Sequence, residues 1–281
     1  MPLQMKIALN GATTMKADLE TDLHAAKLAG FDFLEIWKSK LRDFLKTNSV
    51  SDLQRMFEAG GVPPLSINSI EHISFRSPED YAKIKSECEE LSSVAATLGC
   101  PYIVVVPGRL PQPAPSREEI VAESIRVLTE LAAIARRYGV ALAFEFLGQK
   151  DCSVQTLDLA AEIVRESAQQ NLGLVIDSFH FYAGGSALEM IEQLESDRLF
   201  IFHINDAEDL PRDELQDSHR LLPGLGILPL VELIEAFKHI GYDRVASVEI
   251  FRPEYWERDP LELAREAYQA TKQVLAKSNK L

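Results

Sequence analysis

LVIDSFHF, residues 174–181, is an apolar run that closes on Asp177, with His180 three positions further on. Consecutive apolar positions suit a strand buried on both faces, as in an all-parallel sheet. An ionisable residue closing such a strand belongs at its carboxyl end, where barrels and doubly wound sheets place their chemistry. Three other runs close the same way: 141–146 (ALAFEF) carries Glu145, 199–204 (LFIFHI) carries His203, and 245–250 (VASVEI) carries Glu249.

Around these four, short apolar strands alternate with longer helical patterns along the chain. The first strand is read at 6–9, with a helix over 19–29 closed by Gly30; the second at 31–36, with a helix near 51–59. The third, 62–68, has its prolines at the start, where a strand tolerates them. A helix over 78–98 leads to a fourth strand at 102–106, and Ser116 with Glu119 forms a capping box that opens a helix running to Tyr138. Helices over 156–167, 186–194, 230–239 and 260–277 follow the last four strands. Eight βα units in one run, without linker or low-complexity tract, predict a single (β/α)8 barrel domain over 1–281. An open doubly wound sheet is the competing architecture, and the missing Gly-rich first turn counts against it.

The four strand-end residues are spaced accordingly. Glu145 to Asp177 is 32 residues and Asp177 to His203 is 26, each close to the roughly 31 of one barrel unit. His203 to Glu249 is 46, which places an insertion after the seventh strand, at 205–227. Long ordered loops in compact domains are usually functional, so this one is expected over the site.

Two glutamates, an aspartate and an imidazole form a hard, mostly oxygen donor set. It suits Mn²⁺ or Zn²⁺, with Mg²⁺ or Co²⁺ as alternatives. Any one of the four alone is better explained as a strand-end residue satisfied by a helix N-terminus or an arginine; four on four strand ends favour one ion. His180 stands close enough to touch metal or substrate, or is a satisfied loop histidine. His72 (EHISF) is a weaker candidate of the same kind. Asn10, Glu35 and Asn68 also end strands, where they bind substrate hydroxyls or cap the barrel. Arg252 and Glu254 read as a supporting pair beside Glu249, while His24, His219 and His239 read as surface residues. Phe179, Phe181 and Tyr182 line a pocket or pack.

Composition narrows the function. With 29 basic and 43 acidic residues the net charge is −14, and no basic patch stands out. Such a field repels a phosphate backbone, so nucleic acid is not an expected partner. Cys88, Cys100 and Cys152 are scattered, without a CxxC pair, which fits a reducing cytoplasm. The start, MPLQMKIALNGATT, has too short an apolar run for a signal peptide, and no window approaches the roughly 20 apolar residues of a membrane span.

The succession FEFLG, LVIDSFHF, FIFHINDAED, HRLLPGLG and SVEIFRPEYW resembles the xylose isomerase-like barrel superfamily of sugar isomerases and epimerases. The likeness covers nearly the whole chain and is greatest to the group that acts on inososes in myo-inositol catabolism. The resemblance implies metal ligation by Glu145, Asp177, His203 and Glu249, with the two glutamates doubling as catalytic acid and base. It also implies that His180 and Arg220 reach substrate oxygens. The expected activity is isomerisation or epimerisation of a keto-sugar or inosose through an enediolate. Dehydratases of the same fold and a non-catalytic sugar-binding relative are the alternatives. Trinuclear zinc endonucleases share the barrel but need more histidines than the six present here, and a basic face.

Overall fold

The computed structural model describes residues 5–278. Eight strands, Lys6–Asn10, Phe33–Trp37, Pro64–Ile70, Tyr102–Val105, Ala141–Glu145, Leu172–Asp177, Leu199–Ile204 and Val245–Val248, pair in parallel and close on themselves. The seam is the first strand against the last, with Lys6 opposite Val245 and Leu9 opposite Val248. The fold is the expected (β/α)8 barrel. Among the described residues no helix is long and apolar enough to cross a membrane.

Strand periodicity explains how the barrel positions its polar groups. Side chains two apart on a strand share a face. Ala143, Val175, Ile201 and Val245 belong to one small apolar cluster that also takes in Ala8, Leu65 and Val104 from other strands. Glu145, Asp177 and His203 come two residues after members of that cluster, and Glu249 four residues after one. The apolar cluster therefore floors a polar layer at the carboxyl ends. The alternate side chains, among them Phe144, Ile176 and Phe202, join the larger core shared with the surrounding helices.

Local signals set the helix boundaries. Leu19–Ala29 is capped by the Asp18 carboxylate and ends on Gly30 at φ 95°. Arg117–Arg136 opens with the Ser116–Glu119 capping box, both halves of which are formed. Three segments differ from the reading above. Lys38–Leu45 is an additional helix; KSKLRDFL buries just Lys40 and Leu41, so it carries no apolar stripe to read. After the sixth strand, Ser178–Ala183 forms a short helix capped by Asp177, which places His180 on a helix rather than in a loop. The helix expected over 186–194 is a 3-10 turn, Leu188–Gln193. Gly184 and Gly185 separate these two pieces, each too short to propagate as a longer helix.

The insertion after the seventh strand is folded. Asp206–Ala207 pairs antiparallel with Arg220–Leu221, and Asp206 accepts hydrogen bonds from the Gly224 and Leu228 amides at 2.9 Å each. Gly226 is required there, since a Cβ would lie 2.0 Å from the Ala207 carbonyl oxygen.

The loop after the first strand is anchored by a buried ion pair. Lys40 Nζ donates to Asp22 Oδ2 at 2.6 Å and to the Thr14 carbonyl at 2.8 Å, and Thr14 Oγ1 donates to Asp22 Oδ1 at 2.6 Å. Burial, working against Lys40, pushes the Asp22 carboxyl up to about 7. Burial likewise lowers the Lys40 ammonium, so each partner depends on the other. Removing one partner strands a buried charge, and Lys40→Met is expected to destabilise by about 3–5 kcal/mol in urea titrations. Adding Asp22→Leu to Lys40→Met should recover most of that loss; a double variant no more stable than Lys40→Met would show that the pair is not what anchors the loop.

Candidate metal centre

Glu145, Asp177, His203 and Glu249 converge at the barrel mouth, each contributing one donor atom to a set whose members lie within 4.8 Å of one another. All four are buried. Tetrahedral donors of one ion with bonds of about 2.1 Å stand about 3.4 Å apart, so side-chain shifts of up to about an ångström would close the set on a divalent cation. The chemistry of the donors and their convergence therefore fit a divalent cation.

Hydrogen bonding divides the two glutamates. Glu249 Oε1 accepts from Asn68 Nδ2 at 2.8 Å and Asn10 Nδ2 at 3.1 Å, and Oε2 accepts from Arg220 Nη1 at 3.1 Å. Glu145 Oε1 lies 3.0 Å from His203 Nδ1, and among the described residues no other side chain is hydrogen-bonded to this carboxylate. Burial, with the Glu249 charge adding to it and His203 opposing, pushes the Glu145 carboxyl up to about 7. Against the same burial, His203 and Arg220 hold Glu249 below its ordinary value. His203 is raised well above the usual imidazole range, because Glu249, Glu35 and Glu145 outweigh its desolvation.

The inserted loop supplies Arg220, which is buried between the rings of Phe179 and Phe251, 4.9 and 5.0 Å from its guanidinium carbon. Its Nη1 donates to Asp177 Oδ2 at 2.8 Å and to Glu249, and its Nη2 to Asp217 Oδ1 at 2.8 Å. Nε also reaches Asp217, at 3.2 Å, and Nη2 stands 3.0 Å from His180 Nε2. All five N–H groups are thus engaged. A guanidinium can only donate, so His180 Nε2 accepts and Nδ1 carries the ring proton. That Nδ1 is buried without a partner. Burial and the adjoining Arg220 charge lower the His180 pKa, which keeps the ring neutral.

A cavity of about 260 Å³ lies over the cluster, lined by Asn68, His72, Glu145, His180, Arg220 and Glu249 among others. Trp37 and Phe251, in an edge-on contact with centroids 5.5 Å apart, supply an apolar wall. The structure thus brings together Glu145, Asp177, His203, Glu249, His180, Arg220, Asn68 and His72. His72 takes φ 55°, and its buried Nδ1 lacks a partner. Glu35 is buried beside His203 and does not line the cavity, which replaces the substrate contact considered for it. Arg252 pairs with Glu208 at 2.7 Å and with Glu254 at 3.4 Å, on the rim and away from the cluster.

Sequence reasoning missed Asp217, Gln149 and Asn205. Asn205 Nδ2 donates to Asp177 Oδ2 at 2.8 Å, and Gln149 Nε2 to Asp217 Oδ2 at 2.7 Å. Asn205 was findable, since it follows His203 by two residues on the same strand end. Asp217 and Gln149 sit in loops without periodicity.

Zn²⁺ or Mn²⁺ is expected to bind at one per chain and raise the Tm, adding about 4 kcal/mol at a thousandfold excess over Kd. Because an ion must displace the proton held on His203, affinity should weaken by up to about tenfold per pH unit of acidification. Calorimetric titrations across that range check both; affinity independent of pH would exclude His203 as a ligand.

Residues 23–274 match the family model described as xylose isomerase-like TIM barrel. The chain is 39% identical over 275 residues to inosose isomerase of Bacillus velezensis, covering 97% of this chain and 98% of that one. The Bacillus subtilis inosose isomerase is 38% identical over 275 residues, with 97% and 99% covered. A crystal structure of the IolI protein with a bound zinc atom superposes with a TM-score of 0.95 at 38% identity, covering 99% of this chain and all of that one. This chain belongs to the xylose isomerase-like TIM barrel family.

Proposed function

We propose that this enzyme, an isomerase, moves the carbonyl of an inosose or a similar keto-sugar through an enediolate, by proton transfer between Glu145 and Glu249. The observation that carries the reading is the pair of buried glutamates that line one cavity and belong to one metal-competent cluster. Glu145, Asp177, His203 and Glu249 would hold the ion, which when bound supplies Lewis-acid stabilisation of the charge growing on a carbonyl oxygen. That the IolI protein, 38% identical, binds a zinc atom supports a metal reading.

The residues of the chain divide the remaining work. Glu249, held ionised by Asn10, Asn68 and Arg220, is suited to take the α-proton. Glu145, with few donors and a raised pKa, is suited to return a proton at the neighbouring carbon, while the proton of the adjacent hydroxyl passes to the former carbonyl oxygen. Return from the opposite face of the same carbon would be epimerisation. His180 offers Nδ1–H to a substrate oxygen, and His72 offers a second unpartnered ring nitrogen. Asn68 orients Glu249 and borders the substrate. Arg220 reaches a substrate oxygen only by releasing one of its present partners, so we assign it to holding Asp177, Glu249 and His180 in place. The sp³ faces of a polyol ring fit the Trp37–Phe251 wall.

The charge of the cavity favours a neutral polyol ketone over the acidic substrate of a dehydroshikimate dehydratase. Among the described residues lining the cavity, Arg220 is the one permanent cation, and its donors are committed. A substrate carboxylate would face Glu71, Glu145, Asp217 and Glu249 with no uncommitted side-chain cation to meet it, and the ion, when bound, would be shared with the substrate carbonyl. The three free, buried cysteines support a reducing, cytoplasmic setting.

Proton NMR of the metal-loaded protein with scyllo-inosose in D₂O tests the reading: deuterium should enter beside the carbonyl and a second ketone should appear. Glu145→Gln and Glu249→Gln should each slow the exchange by about 10²–10⁴-fold, and chelation should abolish it. Undiminished exchange in both variants would sink the proposal, and release of water with a new enone absorbance would favour a dehydratase.

A further inference from the structure

Glu35 is a carboxylate that the proposed chemistry leaves unused. It sits on the second strand, fully buried in the lumen, and outside the substrate cavity. Its Oε1 accepts from Asn10 Nδ2 at 3.2 Å and lies 3.0 Å from His203 Nε2, while Ser66 Oγ donates to Oε2. The other ring nitrogen, His203 Nδ1, faces Glu145 at 3.0 Å and Glu249 at 3.4 Å.

We propose that Glu35 is a positioning residue for the metal, holding the His203 ring with Nε2–H turned to its carboxylate and bare Nδ1 turned to the ion. The inference rests on the metal reading of the cluster. A neutral imidazole carries one ring proton, and a ligating nitrogen carries none, so the proton must sit on the nitrogen away from the ion. In a buried lumen that N–H needs an acceptor; among the described residues Nε2 has no aligned hydrogen bond, and the Glu35 carboxylate stands 3.0 Å from it, in reach after a small turn of the ring. A carboxylate in this place fixes ring orientation and tautomer and raises the basicity of the ligating nitrogen. Asn10 bridges the two layers, donating to Glu35 and to Glu249, so the support and the cluster share one framework.

Competition for Zn²⁺ and Mn²⁺ against a chromophoric chelator provides a test that does not depend on turnover. Glu35→Gln should weaken metal affinity by about 10–100-fold. If Glu35 acts through His203, the same substitution in a His203→Gln background should bring no further loss. An equal loss in both backgrounds would reduce Glu35 to a general negative charge, and an unchanged affinity in Glu35→Gln would overturn the proposal outright. Should Glu35→Gln fail to fold by circular dichroism, Ser66→Ala keeps the charge and removes one tether. It should weaken binding by about three- to tenfold, and unchanged affinity there would also overturn the role. A wild-type protein that takes up no ion would instead refute the metal reading, and this inference with it.

Discussion

The structure depends on how a barrel mouth accommodates an excess of buried carboxylate. Glu35, Glu145, Asp177 and Glu249 all lie in the lumen, against the cations Arg220 and protonated His203. Carboxylates stripped of water are tolerated only when paired and hydrogen-bonded. Each therefore has a distinct solution: three donors for Glu249, Arg220 and Asn205 for Asp177, Ser66, Asn10 and His203 for Glu35. Glu145 has the fewest, and its raised pKa is the consequence. A divalent ion would relieve the same imbalance, so the lumen is built for positive charge whether it arrives as protons or as metal.

That charge balance is assembled by two parts of the fold with different rigidity. The ligands stand on or immediately beyond barrel strands, whose hydrogen-bonded registers hold them in place. The balancing Arg220 arrives from the insertion after the seventh strand, pinned by a two-residue antiparallel pairing and by the Asp206 carboxylate. Asp217 travels on the same loop and ties it to Gln149 of the loop after the fifth strand. A second cavity of about 660 Å³ shares Gln149 and Asp217 with the one over the cluster, so this bridge borders both.

Much of this was legible from local pattern. Largely apolar runs of three or four residues leading into Glu145, Asp177, His203 and Glu249 named the strands and the ligands together, because burial on both strand faces leaves few reasons for a charge at the end. The Ser116–Glu119 box and Gly30 marked helix ends because caps act within a few residues. The helix Lys38–Leu45 escaped for the converse reason: its buried side chain of consequence, Lys40, is charged, and its partner Asp22 is 18 residues away. Its burial makes sense only once that partner is in view.

Roles diverge from identities at the same boundary. The chain by itself determined the barrel, the four strand-end donors and the position of the insertion, since hydrophobic periodicity and unit spacing are written along the sequence. Tertiary structure alone decided that Glu35 lies beneath His203 instead of beside the substrate, and that Arg220 spends its donors on Asp177, Glu249, Asp217 and His180. It also decided that the two glutamates differ in charge state. These outcomes depend on which side chains from distant strands meet in one low-dielectric space, and hydrogen bonds and Coulomb interactions there are set by ångström separations that no one-dimensional pattern carries.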